Sequence, residues 1–203
     1  NDTTGTYKFR GVAPDADLVL SSIPNYGGTY TADDYARDLD SARALSAIAS
    51  NHSWQMPDST DSDGNTTSIY DATEFQSFYD TNKNSHSLDR LAGIKFDNVT
   101  STSYNSTQTA VFQQYITALD NFQASGVIVF ANGNHKLGSP DLTVEDASFI
   151  ASLPVWYKGG TDGEGNTVED LSDAWITVLY ADFTGSDMDL ITESEFERLG
   201  NPC

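Results

Sequence analysis

Apolar and polar positions alternate along the chain in blocks, and the blocks predict a short series of elements. ADLVLSSI (residues 16–23) is apolar with β-branched members and is broken by PNYGGTY, which predicts a strand. In the following TADDYARDLDSARALSAIA segment, Tyr35, Leu39, Ala42 and Leu45 recur at helical spacing. Thr31 with Asp34 forms an N-cap signature, and Asp33 and Asp34 suit the positive end of a helix dipole. These features predict a helix over about 32–46 and a strand over about 47–53. Residues 55–107 lose this order. QMPDSTDSDGNTTS and NVTSTSYNSTQ are rich in Ser, Thr, Asn and Asp. The span reads as a polar surface insertion within one domain of 1–203. A short helix is predicted inside it around DATEFQSFYDT, capped by Asp71, with Phe75, Phe78 and Tyr79 facing inward.

Periodicity returns with Val111, Phe112, Tyr115, Ile116, Leu119 and Phe122, an apolar helical stripe that Gly126 ends. VIVFAN then predicts a strand. A loop with a short helix after Thr143 leads to SLPVW, and the glycine-rich KGGTDGEGNTVEDLSD precedes a last strand in AWITVLYAD. Strands apolar on both faces and separated by helices indicate an α/β fold with a parallel sheet flanked by helices. In such sheets ligands sit beyond the carboxyl ends of the strands. Asn51-His52-Ser53-Trp54 and Asn132-Gly133-Asn134 both stand at such ends.

Composition narrows the function classes. The chain carries 30 acidic residues against 10 basic ones, a net charge of −20. Phosphate contacts need clustered Lys and Arg, so nucleic acid is excluded as the expected partner. No apolar run reaches the roughly 18 residues of a membrane span, and the first residues lack the basic and apolar regions of a signal peptide. Cys203 is the one cysteine, so neither an internal disulfide nor a cysteine zinc site is expected. DSTDSDGN offers Asp58, Asp61, Asp63 and Asn65 as candidate oxygen ligands for a cation, although the spacing fails the EF-hand pattern.

GVAPDADLVL (11–20), NHSW (51–54), VIVFANGN (127–134) and LP…WITVLYAD (153–182) stand in the order found in subtilisin-like serine peptidases. The chain resembles the central part of that peptidase domain. The insertion and the closing GNPC resemble the autotransporter-like subgroup. The resemblance implies an incomplete subtilisin-like three-layer architecture and a secreted or cell-surface parent that hydrolyses peptide bonds through an acyl-enzyme. It makes Asn134 the oxyanion-hole amide. Ser53, Trp54 and Gln55 would wall one side of the substrate pocket and Ala131, Asn132 and Gly133 the other. Gly27 and Gly28 would flank the bound peptide, held by β-augmentation. Gln55 stands where the family usually has Gly, and Asn132 where it usually has a small residue. Structural calcium is a further expectation from the family; the chemistry itself requires no cofactor.

The family's Asp-Ser/Thr-Gly, His-Gly-Thr and Gly-Thr-Ser segments do not occur in place. His52 and His135 fall near the proposed edge, and His86 does not, but no Gly-x-Ser-x-Gly elbow accompanies them. A surface or loop setting is the plain reading for these histidines. The chain alone is therefore expected to be inactive. Its partners would be a peptide or protein substrate, the rest of the peptidase domain, and a second copy meeting it through exposed sheet edges. The rival from another class is a non-catalytic subtilase-like module for binding or surface adhesion.

Overall fold

Thr31 sets the start of α1 (Ala32–Ala44) as its sequence demands. The Thr31 amide and hydroxyl both donate to Asp34 Oδ2, each at 3.0 Å, so a donor at the helix start finds an acceptor. The helix ends where Ser46 turns to a positive φ of 61° and the Ala47 amide returns to the Ala42 carbonyl. This computed structural model describes residues 17, 31–53, 57–60, 66–69, 72–131 and 148–178; the strands at 57–60 and 66–69 are described by their backbone alone. The strand predicted over 16–23 and the short helix after Thr143 lie outside the described residues.

The fold is α/β. β1 (Ala49–His52), β4 (Val127–Ala131) and β5 (Trp175–Val178) form a three-stranded parallel sheet in the order β1-β4-β5. The pairing is in register, with His52 beside Phe130 and Phe130 beside Thr177. Ser50, His52, Ile128, Phe130, Trp175 and Thr177 thus share one face. Ile128, Phe130 and Trp175 on that face belong to the main core. The alternate positions are more open, with Ile176 and Val178 half exposed to solvent.

α4 (Ser106–Gln123) is the central helix. Asn105 caps it by accepting from the Thr107 and Gln108 amides, and Gln108 reaches back to the Asn105 amide. Its predicted stripe is observed: Phe112, Tyr115, Ile116, Leu119 and Phe122 are fully buried. It packs against Ala32, Ala36 and Leu39 of α1. Each such aromatic or aliphatic side chain contributes about 1.5–3 kcal/mol by leaving water. Gln123 fastens the helix to the entry of β5. Its side-chain amide donates to the Leu171 carbonyl and accepts from the Ala174 amide, both at 3.0 Å.

The span 55–107 corrects the expectation of a surface insertion. β2 (Pro57–Thr60) and β3 (Thr66–Ile69) pair antiparallel as a separate hairpin. α2 (Ala72–Asn82) and α3 (Leu88–Phe96) follow and supply core. Phe75 is buried between Phe149 at 4.3 Å and Trp156 at 4.6 Å. Leu88, Leu91, Ala92, Ile94 and Phe96 are buried too. Gly93 interrupts this apolar run for a steric reason: a Cβ there would overlap the Tyr104 hydroxyl, which donates to the Gln108 carbonyl.

Candidate functional site

The carboxyl edge of the sheet carries two of the residues singled out from sequence, Ser53 and Ala131. Because His52 pairs with Phe130 and Ala131 with Val178, the chain leaves β1 at Ser53 directly beside the end of β4. Strand alternation then sorts the side chains. Asn51 and Ser53 are exposed, and the Asn51 carboxamide donates to Ser53 Oγ at 2.9 Å. Ala131 is half-buried at the end of β4. The structure therefore brings Ser53 and Ala131 to one edge. Trp54, Gln55, Asn132, Gly133, Asn134, Gly27 and Gly28 lie outside the described residues, as does His135.

His52 is not a surface or loop histidine. It points to the inner face, where its ring stacks on Phe130 at 4.9 Å and 8°. Phe130 in turn stacks on Trp175 at 5.4 Å and 7°. Its Nε2 is hydrogen-bonded to Ser50 Oγ at 3.0 Å. Burial pushes the imidazole down to a pKa of about 4, because the charged form loses hydration. So weak a base, buried and stacked on the Phe130 ring, does not fit the role of a general base for Ser50. The Ser50–His52 pair is a part-buried contact along β1, on the face where His52 stacks on Phe130 of β4.

Of the candidate cation ligands, Asp58 lies on β2, and Asp61, Asp63 and Asn65 lie outside the described residues. The first three residues of DSTDSDGN thus belong to a paired strand. Among the described residues no three His, Cys, Asp or Glu side chains gather as a metal would require.

A second polar cluster was not foreseen. Residues 157–171 form a turn-rich loop that grips α3 and α4. Asp162 Oδ1 accepts from the Glu164 amide at 3.0 Å and the Asn166 amide at 2.9 Å, while Oδ2 accepts from the Leu88 amide at 3.1 Å. Burial raises the Asp162 pKa, but these hydrogen bonds, led by those from Asn166, outweigh it and hold the carboxyl below its usual range. Gly165 turns the loop at a φ of 83°, a conformation other residues rarely adopt. Tyr157 donates to Asp89 Oδ1 at 3.0 Å, and Thr117 donates to Glu169 Oε1 at 2.7 Å. The signal in the sequence was Asp162-Gly163-Glu164-Gly165-Asn166, an Asx-turn composition. Its partners are more than fifty residues away and carry no local signature.

No family model, curated protein or solved structure matches the chain.

Proposed function

We propose that the chain is the central, substrate-binding part of a subtilisin-like serine endopeptidase, with its triad supplied from outside these residues. The observation that carries this reading is the in-register meeting of β1 and β4, which brings Ser53 and Ala131 to the same carboxyl edge. Two of the four family-like motifs, NHSW and VIVFANGN, thereby run beside each other where Asn51 and His52 pair with Val129 and Phe130. Asn134 follows Ala131 by three residues and would donate to the oxyanion of the tetrahedral intermediate. The buried, weakly basic His52 agrees with a triad histidine located elsewhere.

The test uses the encoded polypeptide with its flanks on both sides. A fluorophosphonate probe phosphonylates an activated serine, whose Oγ displaces fluoride from phosphorus, and labelling is the expected result. Asn134→Ala should then lower kcat by about 10²–10³ with KM little changed. Flanks without the three triad segments, together with no labelling and no peptide hydrolysis, would leave the non-catalytic binding module in its place.

A further inference from the structure

The loop of residues 157–171 crosses two helices and holds each through a carboxylate. Leu88 at the start of α3 donates to Asp162, Tyr157 donates to Asp89 one residue further along α3, and Thr117 of α4 donates to Glu169. Tyr157 is fully buried, so its hydroxyl relies on Asp89 rather than on water. The charges facing Asp89 are mostly of its own sign. Asp162 and Glu169 approach it from the loop, with the Tyr157 phenol beside them. Tyr104 also lies within its electrostatic reach, with Arg90 and Asp97 around that ring. On the α4 side Asp120 faces Glu169, Asp170 and Asp173. Of the ion pairs found among the described residues, Arg37–Asp34 and Arg43–Asp40 lie on α1, and Lys83–Asp80 lies at the end of α2, where the Lys83 backbone packs against Gly163 of the loop while its ammonium is held by Asp80 at 2.6 Å.

We propose that residues 157–171 form an acid-tightened latch on α3 and α4, in which the cluster of Asp89, Asp162 and Glu169 grips more firmly in mildly acidic water than at neutral pH. This goes beyond the peptidase reading and does not rest on it. Burial pushes Asp89 up to a pKa of about 6; Glu169 and Asp162 add to the rise, and the Tyr157 bond opposes it. The folded state therefore binds a proton that the unfolded chain, with an ordinary Asp, does not bind in the same window. Stability from this group is fully present below the ordinary carboxylate value and is lost as the pH rises through about 6. A protonated Asp89 still accepts from Tyr157 through its carbonyl oxygen and no longer repels Glu169 and Asp162. Asp162 shifts the other way and keeps its N–H partners until the pH falls below the usual carboxylate range.

Two measurements on the whole chain test the latch. A carbon-detected NMR titration of the Asp89 carboxyl should give a midpoint near 6; a midpoint below about 4.5, the ordinary range, overturns the proposal. Amide exchange, corrected for intrinsic rates, should show the Leu88 and Leu171 amides gaining about tenfold in protection between pH 7 and pH 5. Asp89→Asn keeps an acceptor for Tyr157 and removes the charge. It should remove most of that gain, while the acid response of the other carboxylates and of His52 remains in both proteins and cancels in the difference. A variant that keeps the wild-type gain overturns the latch. Should Asp89→Asn fail to fold, the wild-type midpoint decides by itself.

Discussion

His52 on the inner face of the sheet and Asp89 at the start of α3 are both drawn out of water, and the two regions around them handle a titratable group differently. The sheet stacks His52 on the flat ring of Phe130, sets the Ser50 hydroxyl against its Nε2, and keeps it neutral. The loop surrounds Asp89 with a phenol and two further carboxylates. Acid therefore works against the first region and in favour of the second. His52 has its folded pKa depressed, so its contribution is present above the ordinary histidine value and is lost as the pH falls toward about 4. Asp89 gains over nearly the same interval. A flat stability profile between pH 7 and pH 4 would then be the sum of two opposed slopes, not evidence that nothing titrates.

Breaking the stacked side of the comparison should have the largest effect. Phe130 is fully buried and touches a ring on each side. Phe130→Ala is expected to cost about 3–5 kcal/mol in urea unfolding, with Trp175 emission shifted to the red as water reaches the indole. A loss under about 1 kcal/mol would mean that the rings do not form a packed column. Replacing the titrating group should have a smaller effect that depends on pH. His52→Phe keeps the stack and removes the proton site. Relative to wild type it should gain up to about 3 kcal/mol between pH 7 and pH 4, following the depressed imidazole. An unchanged pH slope would assign the acid response to other groups. On the loop side, Asp162→Ala leaves the Leu88, Glu164 and Asn166 amides without their acceptor. Because Asp162 is only half-buried, water can replace part of that bonding. The expected cost is about 1 kcal/mol, read as a lower urea midpoint with an unchanged m-value. Equal stability of the variant would show the Asx turn to be dispensable.

The elements legible in the sequence were those with strong local patterns. Thr31 with Asp34 marked the start of α1, the stripe from Val111 to Phe122 marked α4, and the apolar run at 127–131 marked β4. Parallel pairing followed from strands separated by helices, and the sheet has it. α3 was missed because Gly93 and the Ser, Thr and Asn residues around it weaken every propensity signal. That glycine answers to Tyr104, eleven residues on, rather than to the helix itself. The start of α4 at Ser106 was read as polar insertion, although Asn105 and Gln108 make a capping box. The β2–β3 hairpin was hidden by its Ser and Thr content, which resembles a ligand loop as much as a strand. At the candidate site, Ser53 and Ala131 reach the expected edge, while period-two alternation sends His52 inward between Asn51 and Ser53. The latch could not be read at all, because Tyr157 and Asp89 are 68 positions apart.

Gln123 has a kinetic meaning beyond its two bonds. Its carboxamide stands in for a peptide group, bonding as a neighbouring strand would to both ends of the 171–174 turn. The helix is in this way spliced into the sheet through a side chain. The loop it closes spans 48 residues, and closure entropy grows only with the logarithm of length, so this distance costs little more than half of it would. What the bond requires is order of assembly: both the last turn of α4 and the entry to β5 must already be in place before a single amide can bridge them.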